Sequence, residues 1–167
     1  MAAPLPFSEC ELRLLRALLK HKVRFMVVGL SAATLQGAPV VTQDVDLWFE
    51  NLGEQKMSAA LREVGAAYVP PSAINPPMLA GAGSELFDIV IHMDGLASFA
   101  EEIKNCVEVP LGRLKLKVLS LDRILASKLA ANRQPRQPAV VTVRQGAETG
   151  IDFGDRLLQA KGLPPRS

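Results

Sequence analysis

The run from Val23 to Val28, and the glycine that stops it, constrain this chain more than any other stretch. Its β-branched and apolar residues read as a strand, because such side chains suit a pleated, buried surface. Gly29 ends the run, and Ser31 to Gln36 reads as a short helix closed by Gly37. A strand that feeds straight into a helix belongs to a fold in which helices cover a sheet. The remaining sequence repeats the theme. Ser8 and Glu11 make a capping-box pattern ahead of Leu12, Leu15, Leu18 and Leu19, so an amphipathic helix should end near His21. Val45 to Phe49 is a second strand, and Asn51 can cap a helix from about Glu54 to Val64. Pro70 to Gly83 reads as a loop, with four prolines and two glycines.

Leu86 to Met93 is a third strand, followed by a helix over Leu96 to Cys106 that Asp94 can cap. Val107 to Pro110 and Arg113 to Leu119 form a hairpin about Leu111-Gly112, since Leu114, Leu116 and Val118 alternate with Lys115 and Lys117. Ser120 caps a helix over Leu121 to Asn132, Gln134 to Gln137 breaks the chain, and Ile151 to Lys161 is a last helix. The expected class is α/β or α+β: a mixed β-sheet flanked by helices, with a C-terminal hairpin and helices. One domain spans residues 1–167, with its core at 23–133, a helical extension at 134–162 and a loose tail at 163–167. No internal repeat is visible.

An apolar fraction of 49% and a charged fraction of 22% are those of an ordinary soluble globular protein. The net charge of +2 is too small for whole-molecule electrostatics to imply a nucleic-acid partner. Its distribution says more. Residues 44–103 hold ten acids and two bases, and residues 104–136 hold eight bases and two acids. Folding could set an acidic centre beside a basic strip, or simply present two solvated faces of opposite sign. Cys10 and Cys106 are too few and too far apart for a disulfide framework or a zinc site, so a reducing, cytoplasmic setting is expected. Neither a signal-peptide pattern nor a membrane-length apolar run is present, so no membrane association is expected.

Asp44 and Asp46 are the first chemical candidates. Residues two apart in a strand face the same way, so both carboxylates leave one side while Val45 and Leu47 enter the core. Two like charges so close repel unless a cation or proton intervenes, and hard oxygen donors suit magnesium or manganese. Two surface acids at a strand start would give the same pattern. Gly29 permits close backbone approach, and the helix after it offers free N–H groups to a phosphate. Ser31 can donate to a phosphate oxygen or cap the helix. Asp88 sits among Phe87, Ile89, Val90 and Ile91, where a carboxylate is costly unless paired or bound to a metal. On a strand beside Val45 to Phe49 it can face the aspartate pair. Asp94 is a rival third ligand that reads better as a cap.

In these motifs the chain resembles the nucleotidyltransferase superfamily with the DNA polymerase beta-type fold, and in particular its small prokaryotic abortive-infection and minimal nucleotidyltransferase branch. The resemblance lies in Phe25 to Ala33, Gly37-Ala38-Pro39, Thr42 to Trp48, Phe87 to Val90, and Val118 to Ile124 followed by Lys128 and Arg133. It covers about residues 23–133. The resemblance implies a nucleotidyltransferase-like sheet and magnesium or manganese held by Asp44, Asp46 and Asp88. It also implies a triphosphate against Gly29, Leu30, Ser31, Thr42 and Lys128. The substrates would be a nucleoside triphosphate and a hydroxyl acceptor, whether protein, RNA or small molecule. Three departures stand out. Leu30 replaces the second small residue of the turn, Val40-Val41 replaces an expected Arg, and Gln134 to Pro138, whose prolines break a helix, replaces an expected Lys-Asp and a further Asp. They keep open a second reading, a catalytically weak or inactive binding protein with this fold, one member of a toxin–antitoxin-type pair with a protein partner. His21 reads as a helix-terminal residue, and His92 as a strand residue. Trp48 either packs or lines a base pocket, and Lys104, Arg113, Lys115 and Lys117 are solvated or touch RNA or protein.

Overall fold

A computed structural model describes residues 7–81 and 83–133. The break at Gln134 to Gln137, the helix expected over Ile151 to Lys161 and the tail from Leu163 lie outside the described residues. The first helix, α1 (Glu9–Lys20), starts on the expected capping box, in which Ser8 and Glu11 each bond the other's backbone N–H. It buries Leu14, Leu15 and Leu18 completely and packs on α3 (Gln55–Glu63). Strand β1 (Phe25–Val28) is buried at all four positions and runs directly into α2 (Gly29–Leu35). Strand β2 (Val45–Phe49) keeps the expected bounds.

The main sheet has the order β5-β2-β1-β7-β6, with β5 at Phe87–Val90, β6 at Cys106–Leu111 and β7 at Leu114–Leu119. β1 is antiparallel to β2 and parallel to β7, β2 is parallel to β5, and β6 is antiparallel to β7. The sheet is therefore mixed and flanked by helices, as expected. Alternation along β2 sends Val45, Leu47 and Phe49 to one face and Asp46 and Trp48 to the other. Trp48 is buried edge-on against Phe99, with ring centroids 5.8 Å apart, so it packs and reads no base. No described helix is long and apolar enough to cross a membrane.

Four local expectations need correction. The stretch from Pro70 to Gly83 is more than a loop. Its end, β4 (Met78–Gly81), pairs antiparallel with β3 (Ala66–Val69), burying Leu79. The third strand stops at Val90, and Ile91 is 67% exposed. The helix expected over Leu96 to Cys106 is a single turn, α4 (Phe99–Glu102), and a 3-10 turn (Ile103–Asn105). Ser98 and Glu101 cap it in place of Asp94, and Cys106 opens β6 because its thiol packs on Met26. Asn51 caps no helix; its side chain accepts from the Gly53 N–H.

Candidate active site

The site grows from the strand ends. On β1 and β2 the register pairs Val28 with Asp46, and on β2 and β5 it pairs Asp46 with Asp88. Two carboxylates thus face one another across adjacent parallel strands, with Asp44 two residues before Asp46. The chain leaves β1 through Gly29 at a φ of 66°, a conformation that side chains resist. A Cβ on Gly29 would overlap Asp46 Oδ2, so the missing side chain is the space the carboxylate occupies.

Two hydroxyls fix this arrangement from behind. Ser31 is buried. Its Oγ donates to the Val28 carbonyl at 2.9 Å and accepts the Asp46 N–H at 3.3 Å. It is committed to the backbone that carries Asp46 and does not point a proton at a ligand, as the sequence had suggested. Thr42 Oγ1 donates to the Asp44 carbonyl at 2.9 Å and accepts the Asp44 N–H at 3.3 Å, shaping the entry to β2. Leu30 is half-buried, and α2 carries no side-chain cap on its first turn.

The electrostatics follow from the packing. Burial first, then Asp88 and Asp44, push the Asp46 carboxyl up to about 6, and Lys128 opposes them. Burial and Asp44 also raise Asp88. A half-buried carboxylate with like charges beside it favours its protonated form, and a cation would relieve it. Asp44, Asp46, Asp88, Gly29 and Lys128 are therefore brought together, although among the described residues no three acid, histidine or cysteine side chains are arranged as a ready-made metal cage. A cleft of about 240 Å³ opens beside them, lined by Gly29, Asp46, His92, Asp94, Ser127 and Lys128 among others. Its far wall is α5 (Leu121–Arg133) and the segment after β5.

His92 lies past the end of β5 on this wall, with Nε2 3.8 Å from Asp94 Oδ1. The sequence read His92 as a strand residue and Asp94 as a rival third ligand better suited to a cap; the structure puts both on the cleft wall. Also missed was the ion pair of Glu102 with Arg123 behind the wall. His21 joins no site and bonds Glu63 at 2.6 Å. Burial pushes the Cys106 thiol up to about 11, which leaves it unreactive at neutral pH.

No protein-family model matches the chain. No curated protein matches it either. Solved structures do. A Thermotoga maritima protein assigned to the nucleotidyltransferases is 22% identical, with a TM-score of 0.55 over 76% of this chain and 88% of that one. ANT(2")-Ia in complex with adenylyl-2"-tobramycin is 18% identical, with a TM-score of 0.47 over 74% of this chain and 78% of that one. The solution structure of the same antibiotic-resistance factor is 16% identical, with a TM-score of 0.48 over 75% of each chain. The Thermotoga likeness shows the fold alone: this chain has a nucleotidyltransferase-like architecture, a mixed sheet flanked by helices.

Proposed function

We propose that this chain moves a nucleoside monophosphate from a nucleoside triphosphate onto a hydroxyl acceptor, with magnesium or manganese held at Asp44, Asp46 and Asp88. The observation that carries the proposal is the register that sets Asp46 opposite Asp88, with Gly29 cut back to admit the Asp46 carboxylate. The donor set fits such ions. It is all carboxylate, burial and mutual repulsion disfavour the charge on Asp46 and Asp88, and magnesium characteristically completes its shell with water and phosphate oxygens. When bound, the ions would polarise the triphosphate and offset charge on the attacking and leaving oxygens.

The chain's own residues have separable parts in this reading. Gly29 brings backbone close to the phosphates, with Leu30 beside it. Ser31 and Thr42 act on the site indirectly, by holding the backbone of Asp46 and Asp44. Lys128 brings a cation to the cleft wall across from Asp46, where a triphosphate needs one. Asp88 is exposed, so it can take the proton as the acceptor oxygen bonds the α-phosphorus and the bond to pyrophosphate breaks. The acceptor class is a hydroxyl on protein, RNA or a small molecule. Radiolabel transfer from each of the four nucleoside triphosphates, with magnesium or manganese, tests this. Transfer should vanish in Asp46→Asn. Absence of both cation and nucleotide binding in calorimetry rejects the proposal.

A second reading has its own support. Val40 stands where the resembling family carries Arg, and it is only 6% exposed, so it belongs to the core and no cation can be recovered there. A catalytically weak or inactive binding protein, one member of a toxin–antitoxin-type pair, would match that loss. In that case Asp44→Asn leaves the biological role intact, and loss of the role in this variant rejects it.

A further inference from the structure

Among the described residues, Glu102 is the one charged side chain that is buried, at 1% exposure. It is fully satisfied. Oε2 accepts from Arg123 Nε at 2.9 Å and from Asn105 Nδ2 at 3.3 Å. Oε1 accepts from Arg123 Nη2 and from the Ala97 N–H at 3.0 Å. With every oxygen engaged, Glu102 has no capacity left for a substrate. A buried ion pair is also a poor source of net stability, because well-packed apolar residues of similar size often do as well. Its value lies in what it joins.

Ala97 ends the segment that starts at His92, and Arg123 lies in the first turn of α5. The same two elements meet a second time. Gly95 has a φ of 69°, and a Cβ there would overlap the Ala130 side chain, so the segment's backbone lies directly on α5. Two independent ties therefore make the segment and the helix one body. That body is the cleft wall with His92, Asp94, Ser127 and Lys128, facing Asp46. Lys128 follows Arg123 by five residues, about 7.5 Å along the helix axis, so a tilt of α5 at the ion pair is carried to the ammonium.

We propose that Glu102 is a positioning residue: through Arg123 and Ala97 it fixes the cleft wall so that α5 holds the Lys128 ammonium across from Asp46. The identity of what binds there rests on the nucleotidyl-transfer reading; the geometry does not. The test is a double-mutant cycle on binding of inorganic tripolyphosphate with magnesium, measured by calorimetry on the full chain. Glu102→Gln keeps the shape and removes the charge. Arg123 is 34% exposed, so water can solvate the freed guanidinium and the fold should survive. Lys128→Ala should weaken binding about tenfold in the parent and by about twofold or less in the Glu102→Gln background, because there the ammonium is no longer held in place. Equal losses in both backgrounds overturn the proposal, since a merely structural role would lower stability without coupling to Lys128. Arg123→Lys, which keeps the charge but loses the fork, serves as the second variant and should behave like Glu102→Gln.

A parent that binds no tripolyphosphate rejects the nucleotidyl-transfer reading, and a ligand-free measurement then decides the positioning role. Spin labels on His92→Cys and Ala131→Cys, in a Cys10→Ser, Cys106→Ala background, report the spacing between the segment and α5 within the wall. Glu102→Gln should broaden or shift the distance distribution, and an unchanged distribution overturns the proposal.

Discussion

At residue scale the site turns on two atoms that exclude each other: a Cβ at position 29 and Oδ2 of Asp46. Gly29→Ala should therefore act twice. The left-handed backbone at φ 66° costs an L-residue about 1–2 kcal/mol, visible as a lower urea midpoint. The displaced carboxylate should in addition weaken magnesium binding, whereas a purely conformational effect would leave magnesium affinity alone. Asp46 itself carries the opposite penalty. Its carboxyl is raised from 3.8 to about 6, chiefly by burial and then by Asp88 and Asp44, so in the metal-free fold its charged form is disfavoured. For an acid shifted upward, the folded state binds the proton more tightly than the unfolded one. This penalty is absent below the ordinary value, grows as pH rises from about 4 to about 6, and is constant above. Asp46→Asn should remove that pH dependence and stabilise the metal-free protein at pH 7 by about 1–2 kcal/mol, after allowance for solvent screening. Urea unfolding in EDTA at pH 4.5 and pH 7 measures it, and an Asn variant no more stable than its parent contradicts the assignment.

At the scale of elements, the join between α4 and α5 has the opposite sign. The hydrogen bonds from Arg123, then those from Ala97 and Asn105, hold Glu102 below its ordinary 4.5 despite burial. An acid lowered in the fold contributes stability that is present above its unfolded value and lost as pH falls through the depressed one. Glu102→Gln should cost about 1–3 kcal/mol at pH 7, and the gap from the parent should close as pH falls below 4.5, read from thermal melts across that range. The contrast shows what a sequence can disclose. The Ser8/Glu11 cap and the bounds of β2 were legible because each is written in nearby residues, and Asp44, Asp46 and Asp88 were legible as acids beside or within apolar strands. Glu102 was not, since it follows Glu101 in a segment that reads only as a helix, and its partner lies 21 residues away. β4 was hidden for a related reason. Four residues between a proline-rich stretch and Gly83 carry little period, and only pairing with β3 defines them. Lys128 was visible only through family resemblance, because a lysine on a helix has no local mark of the carboxylate it will face.

At the scale of the whole molecule, the two charge blocks of the sequence meet at the cleft and again behind its wall, in the Glu102–Arg123 pair. The acidic block supplies Asp44, Asp46 and Asp88, and the basic block supplies α5 with Lys128. A triphosphate alone would meet three carboxylates and be repelled at short range. A divalent ion alone would find acidic donors but no phosphate oxygens to complete its shell. Each ligand should therefore raise the affinity of the other, and by linkage the two coupling factors must be equal. Stability reports this directly, since a ligand at about 100 times its dissociation constant adds about 2.7 kcal/mol to a fold that alone can bind it. For a domain of this size that is a rise of roughly 5–11 °C in Tm. The expected pattern is a large shift with magnesium and nucleoside triphosphate together, and small shifts with either alone. Asp46→Asn should lose the joint shift despite its higher metal-free stability, and Lys128→Ala should reduce it while leaving the magnesium-only shift unchanged. Equal shifts for triphosphate with and without the metal would mean that the basic wall binds phosphate by itself, and would remove the carboxylates from the site.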